Sequence, residues 1–258
     1  MPHAADNRTL KHGCIVMASG VGARFGGNKL MAELCGAPLV GHVVRATDGL
    51  FSRRVVVTRH ADVAALCETL GAQVILHDEP CRNDTVRLGM EAMDGCDTVT
   101  FVQGDQPLIR PASIVALLRT AERDAAGAAR RNAAGRGVAD GRDSAESAVA
   151  CAVEHDAMWR NAAGCGVTDV SGCPSACIWR TCFDGVPGAP VLFPSWAFGE
   201  LRSLPHGKGG GYVTKVHAEC VRAIEVSSEW ELFDVDTRDD LQHLQAHIAR
   251  CGSAGLPR

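Results

Sequence analysis

Between Ser19 and Lys29 four glycines, Gly20, Gly22, Gly26 and Gly27, are interspersed with two cations, Arg24 and Lys29. Glycines allow a backbone to turn so that successive N–H groups face one anion, and Arg and Lys add fixed positive charge. The chemistry open to such a loop is to hold a polyphosphate. The run that precedes it, residues 14–18, is short and apolar, the pattern of a strand buried in a parallel sheet. Two commoner glycine motifs are excluded. A dinucleotide fingerprint would need glycine where Phe25 stands, and a P-loop would need G-K-S/T where the chain reads Asn28-Lys29-Leu30.

Displacement at phosphorus is opposed mainly by charge repulsion, so a site for it needs carboxylates that hold Mg²⁺ and cations that neutralise the leaving group. Asp105 meets the first need: an apolar strand ends at Gly104, presents Asp105 at the sheet edge, and is stopped by Pro107. A second acid comes from residues 232–236, read as a strand whose alternation puts Asp234 and Asp236 on one face, with Asp236 at the tip. Asp105 and Asp236 are the expected metal ligands, with Asp234 in reserve.

These residues need a frame that brings distant loops to one edge. Helices are expected at 38–48, 61–70, 84–93 and 111–123, and strands at 54–58, 73–77 and 97–103. Alternation at this length implies an α/β, Rossmann-like, mostly parallel sheet with helices on both faces, and a ligand at the carboxyl ends of the strands. Residues 124–176 break the pattern: they are rich in Ala, Gly, Arg, Asn and Ser, without apolar periodicity, and read as an insertion within a single domain, 1–258. Order returns with strands at 177–181 and 221–226 and a segment at 187–194. Ser195 is read as the N-cap of a helix through Leu201, and residues 237–240 as a capping box for a last helix through Ala249.

A net charge of −4 offers no basic surface for nucleic acid, and no apolar stretch reaches membrane-spanning length, so a cytoplasmic location is expected. Of the 12 cysteines, Cys14, Cys67, Cys96 and Cys220 lie singly in apolar runs and are read as reduced, small hydrophobes. The spacing of Cys165, Cys173, Cys177 and Cys182 matches no zinc pattern. Lys11 and His12 read as a solvated approach to the first strand.

The loop resembles the opening of the nucleotidyltransferases that activate sugars and cofactors with a nucleoside triphosphate, approximately L-A-A/G-G-x-S/G-x-R-M/F-G-x-x-K. Met17, Ala18, Gly20, Gly22, Arg24, Phe25, Gly26 and Lys29 match in register. The family's G-D-x-P matches at Asp105, its D-I/V-D-T-P-E-D-L at residues 234–241, and a G-A/H-P-V-L-F segment at residues 188–193. Within that family the chain is most similar to the molybdenum-cofactor cytidylyltransferases. The resemblance implies transfer of CMP from CTP to a molybdopterin-type cofactor, with Mg²⁺ as cofactor, pyrophosphate as product and a molybdenum hydroxylase as recipient. It implies catalytic roles for Arg24, Lys29 and Asp105, and nucleotide contacts from Met17, Ala18, Ser19, Gly20, Gly22 and Lys29. His77, Arg82, Asp84 and Arg87, where relatives have an asparagine-proline turn and a serine-bearing helix start, are candidates for base or acceptor contacts, Arg82 and Asp84 for the nucleotide, with a solvated helix start an equal reading of that stretch.

Ser19 stands where guanylyl relatives have glycine. Its Cβ narrows the base pocket and favours CTP, with GTP the alternative. Where relatives read G-D-x-G-A-R, this chain reads Gly207-Lys-Gly-Gly-Gly-Tyr212, so Pro190, Lys208, Gly209 and Gly210 are expected near an acceptor whose identity stays open. Another phosphorylated acceptor, a sugar or polyol phosphate, and a non-catalytic molybdopterin carrier are the alternatives.

Overall fold

The computed structural model describes residues 9–135 and 176–251. The chain runs β1 (His12–Ala18), a β2–β3 hairpin (Glu33–Leu34, Ala37–Pro38), α1 (Leu39–Ala46), β4 (Arg53–Thr58), α2 (Ala61–Thr69), β5 (Gln73–Leu76), α3 (Arg82–Glu91), β6 (Thr98–Gln103) and α4 (Pro111–Gly135). It resumes with β7 (Ile178–Phe183), β8 (Val186–Pro194), α5 (Phe198–Arg202), α6 (Gly210–Val216), β9 (Val221–Glu225) and α7 (Arg238–Cys251). Seven strands form one sheet in the order β5-β4-β1-β6-β8-β7-β9, and only β8 runs against its neighbours.

Both faces of the sheet are covered, because successive side chains of a strand point to opposite sides. Cys14, Val16 and Ala18 pack with α1 and α2 through Val40, Val43, Val63 and Cys67. Ile15 packs the other way, with Val86 and Met90 of α3, Leu201 of α5 and Val213 of α6. The chain builds outward from β1 through β4 to β5, then returns to β6 on the other side of β1. The crevice between β1 and β6 is therefore the topological switch point, where ligands bind in such sheets.

Four details of the sequence reading are corrected. Residues 232–236 form no strand: they pair with no strand of the sheet, and a 3₁₀ turn, Glu229–Leu232, capped by Ser228 Oγ, leads into an extended segment. Helix α4 continues through Gly135 rather than stopping near residue 123. Its Ala-rich continuation is a good helix former, and Asp124 anchors the returning chain by accepting from Cys177 N at 2.6 Å and Trp179 Nε1 at 3.2 Å. Residues 136–175, the rest of the expected insertion, lie outside the described residues, as do Cys165 and Cys173. Ser195 opens a 3₁₀ turn, Ser195–Ala197, and is not a cap; α5 begins at Phe198. His12 is buried, held by Thr98 Oγ1 at 2.7 Å, rather than solvated.

Cys14, Cys67 and Cys220 are buried with free thiols, and Cys177 and Cys182 are buried as well. Among the described residues no helix is long and apolar enough to cross a membrane.

Candidate active site

The glycine loop leaves β1 at the switch point. Gly22 and Gly26 adopt left-handed φ of 61° and 75°, and a Cβ on Gly22 would lie 2.4 Å from the carbonyl oxygen of Gly27. Only glycine fits there. The carbonyl of Gly22 accepts from Phe25 N and Gly26 N, closing the turn. Phe25 is the anchor: it is buried with Leu34, Leu39, Leu108 and Val235, and with Leu244 and Ile248 of α7. The C-terminal helix thus clamps the loop, and the Arg238 guanidinium covers the Phe25 ring at 5.1 Å.

Asp105 reaches the same place from β6. Met17 pairs with Gln103, and Gly104 N donates to Met17 O at 3.0 Å. A Cβ on Gly104 would stand 3.1 Å from that oxygen, so glycine allows the two strand ends to close together. Asp236 arrives from the segment before α7. Asp240 Oδ2 accepts from Asp236 N at 3.0 Å and Thr237 N at 2.7 Å, and Thr237 Oγ1 accepts from Asp240 N at 3.1 Å. This is the capping box expected from the sequence.

Lys29 joins the two acids. Its Nζ donates to Asp105 Oδ2 at 2.6 Å and to Asp236 Oδ1 at 2.7 Å, while Arg24 Nη2 donates to Asp236 Oδ2 at 2.6 Å. Lys29 is almost wholly buried. Burial alone would depress its ammonium, but attraction to Asp105 and the hydrogen bonds to both carboxylates outweigh it and raise the pKa. The hydrogen bond from Lys29 holds the Asp236 carboxyl below its usual range. Asp234 still reaches solvent, yet partial desolvation, then the charges of Asp105 and Asp236, push it up to about 6.

Two carboxylates already hold a cation between them here, the ammonium of Lys29, and their donor atoms are all oxygen. That donor set suits a hard dication such as Mg²⁺, which typically uses one or two carboxylates and completes its shell with water and substrate phosphates. Among the described residues no group of three or more His, Cys, Asp or Glu forms a closed metal cage.

These groups open onto a cleft of about 1280 Å³, lined by the glycine loop, Arg59, Arg82, Asp105 and Gln106 together with parts of β7, β8 and residues 229–236. Met17, Ser19, Gly20, Arg24, Lys29, Arg82, Asp105 and Asp236 all line it. Ser19 Oγ donates to Val57 O at 3.1 Å and lies 2.9 Å from His77 Nε2. Its one hydrogen being used, the His77 Nε2–H is the donor to Ser19, and His77 Nδ1 is left buried without a partner among the described residues. Burial, then the charge of Arg59, lowers the pKa of His77.

Other expected residues are placed elsewhere. Ala18 turns its methyl into the core, and Gly22 shapes the loop from behind the cleft wall. Asp84 accepts from Cys81 N at 3.3 Å and lies 3.8 Å from Arg87, so it caps α3. Pro190 is buried, while its neighbours Gly188, Ala189 and Val191 line the cleft. Lys208 is exposed in a turn outside the cleft walls. Gly209 and Gly210 are explained by packing: a Cβ would meet Arg82 Nε at 3.1 Å in the first case and the Phe101 ring at 2.9 Å in the second. Sequence reasoning missed Arg59 and Arg180, both in the cleft walls. Arg59, directly after β4, carried a usable signal, as a cation at the carboxyl end of a predicted strand.

Comparison with known proteins fits this geometry. The family described as "MobA-like NTP transferase domain" matches residues 14–221. A curated 3-deoxy-manno-octulosonate cytidylyltransferase of Anaeromyxobacter is 37% identical over 113 residues, 39% of this chain and 44% of that protein. The chain thus spans less than half the length of the curated relatives it matches. A nucleotidyl transferase structure from Methanothermobacter superposes with a TM-score of 0.63 at 16% identity, over 94% of this chain and 99% of the other. A CMP:2-keto-3-deoxy-manno-octonic acid synthetase solved with CTP gives 0.58 at 17% identity, over 93% and 99%. Both structural likenesses establish the α/β fold of the sheet. With the family match running from β1 to the start of β9, the chain belongs to the MobA-like NTP transferase domain family.

Proposed function

We propose that this chain is a cytidylyltransferase that moves CMP from CTP to an anionic acceptor and releases pyrophosphate. The observation that carries the reading is the Lys29 bridge between Asp105 and Asp236 at the mouth of the glycine loop. A buried lysine poised between two acids can exchange them for a triphosphate when one arrives, keeping its charge compensated throughout.

In this reading the loop N–H groups and Arg24 bind the phosphates, and Lys29 neutralises the leaving pyrophosphate. Asp105 and Asp236 would hold Mg²⁺, which when bound would supply further positive charge to the phosphates. The packing of Phe25 against α7 holds loop and acids in one rigid arrangement, so little reorganisation is needed at the moment of reaction. Ser19, tied to β4 and to His77, narrows the crevice beside the strand and favours a pyrimidine over guanine.

For the acceptor, the sequence resemblance favours a molybdopterin-type cofactor whose product passes to a molybdenum hydroxylase. The cytidylyltransferase relatives favour a 2-keto sugar acid. Incubation with each of the four triphosphates, Mg²⁺ and either acceptor, with pyrophosphate release followed, tests both halves. Release with CTP and one acceptor, abolished by a chelator, is expected. Preference for GTP would overturn the base assignment, and no release with either acceptor would overturn both acceptor assignments.

A further inference from the structure

Arg180, like Arg59 and Arg82, is a cleft cation that the reading above leaves without a task, and it alone of the three stands on β7. It lies on β7, with Trp179 packing toward α4 on the opposite face. In register Arg180 pairs with Val191 of β8, and Val191 pairs with Phe101 of β6. Arg180 is thus two strands, about 10 Å, from the strand that carries Asp105, on the side away from β1 and its glycine loop. Nucleotide phosphates are served by the loop, Arg24 and Lys29, so Arg180 faces another part of the cleft's contents.

Its setting is built rather than incidental. The register between β7 and β8 shifts between Arg180 and Cys182, the kind of bulge that re-aims a side chain beside a site. Nε and Nη2 both donate to Gly188 O, at 3.2 and 2.8 Å, which fixes the plane of the guanidinium. Gly188 in turn leaves no room for a side chain, because a Cβ would lie 2.8 Å from Leu232. A guanidinium has five N–H donors, so two spent on Gly188 leave three. No carboxylate among the described residues pairs with this half-buried charge, whereas Arg24, Arg54, Arg87 and Arg202 each have one. Desolvation disfavours such a charge, and its pKa is lowered accordingly. An oxyanion in the cleft would satisfy the free donors in the geometry arginine is suited to.

We propose that Arg180 anchors an oxyanion, a carboxylate or a phosphate, carried by the acceptor. The assignment rests on reading the cleft as a nucleotidyl-transfer site. It makes the acceptor an anion recognised at a point remote from the reacting oxygen, and it accounts for a cation on β7 that no phosphate of the nucleotide needs.

The test is calorimetric titration of the CTP-saturated protein with inorganic phosphate and, separately, with pyruvate, which tells a phosphate anchor from a carboxylate anchor. Wild type should bind one of the two. Arg180→Gln should weaken that binding about tenfold to a hundredfold while CTP affinity stays within about twofold. Arg180→Lys keeps the charge without the fork; it should weaken binding about threefold or more, and it decides the matter if the glutamine variant fails to fold. Unchanged anion affinity in the variants, or no binding of either anion by wild type, overturns the proposal. Failure of wild type to bind CTP would instead count against the nucleotidyl-transfer reading, and titrating wild type and Arg180→Gln with both anions in the absence of nucleotide then decides on Arg180 alone.

Discussion

The backbone N–H of Val235 donates to the carbonyl oxygen of Asp105 at 3.0 Å. This bond ties the loop after β6 to the segment before α7, so the two acids flanking Lys29 are held together by main chain as well as by charge. Val235 is itself fully buried against Phe25 and Leu244, and the acids are thereby referenced to the same hydrophobic cluster as the glycine loop.

Because that tie uses the main chain of Asp105, Asp105→Asn should leave the fold intact while removing a charge from the site. Pyrophosphate release should fall on the order of a thousandfold or more, the usual cost of losing a metal-held transition-state charge. Thermal unfolding should stay close to wild type, since Lys29 keeps Asp236 as partner. Near-normal turnover would remove Asp105 from the mechanism.

Lys29 occupies the point toward which both acids converge. Lys29→Met should therefore do two opposite things. Turnover should collapse, and Mn²⁺ binding without nucleotide, read by paramagnetic resonance, should tighten about tenfold because Asp105 loses its ammonium partner and Asp236 keeps only Arg24. Lys29→Arg should not restore activity, as a planar fork does not replace a point charge in a buried slot. Mn²⁺ affinity equal in wild type and the methionine variant would show that Asp105 and Asp236 are not the metal ligands.

The parallel sheet and the loop were legible in the sequence because each rests on local pattern. Residues 14–18, 54–58 and 97–103 are apolar runs of strand length, and Gly20 to Lys29 has turn residues and cations in one window. The acids at 105 and 236 were legible as strand-end or cap positions. The state of residues 232–236 was not: their alternation suits a strand, but pairing depends on a neighbour, and here the backbone bonds of Leu232 and Val235 go to Gln106 and Asp105. Gly209 and Gly210 read as an anion-binding bend, yet they serve the close approach of Arg82 and of the Phe101 ring, a tertiary constraint with no local trace. Arg180 was invisible for a similar reason, since nothing in its own strand marks it as facing the cleft.

His42 of α1 gives a pH prediction away from the acids. Its Nε2–H donates to Leu34 O at 2.8 Å, and burial, the largest influence, lowers its pKa below 6.5. With the unfolded value the higher, the unfolded chain takes up the proton first. The stabilisation from neutral His42 is thus complete above about pH 6.5 and declines as pH falls toward the folded pKa. His42→Gln keeps a donor but cannot titrate, so the stability gap between wild type and variant should narrow between pH 7.5 and 5 in denaturant melts. A gap that stays constant would mean that His42 binds its proton as readily in the folded protein as in the unfolded chain, and a gap that widens as pH falls would mean that folding raises its pKa.

Ser19→Gly tests the base assignment. Removing the hydroxymethyl group opens space beside β1, frees Val57 O, and leaves His77 Nε2 without its partner. Use of GTP relative to CTP should improve. One steric change in a pocket is typically worth about 1–3 kcal/mol, so the ratio of kcat/KM values should move about ten- to a hundredfold without a complete switch. Ser19→Ala separates the two contributions: it keeps the Cβ and loses only the hydroxyl. If bulk beside the strand is what excludes guanine, the alanine variant stays with CTP and only the glycine variant shifts. A shift of equal size in both would transfer the discrimination to the hydrogen bond with His77, and no shift in either, or a wild type that already prefers GTP, would leave position 19 without a part in base choice.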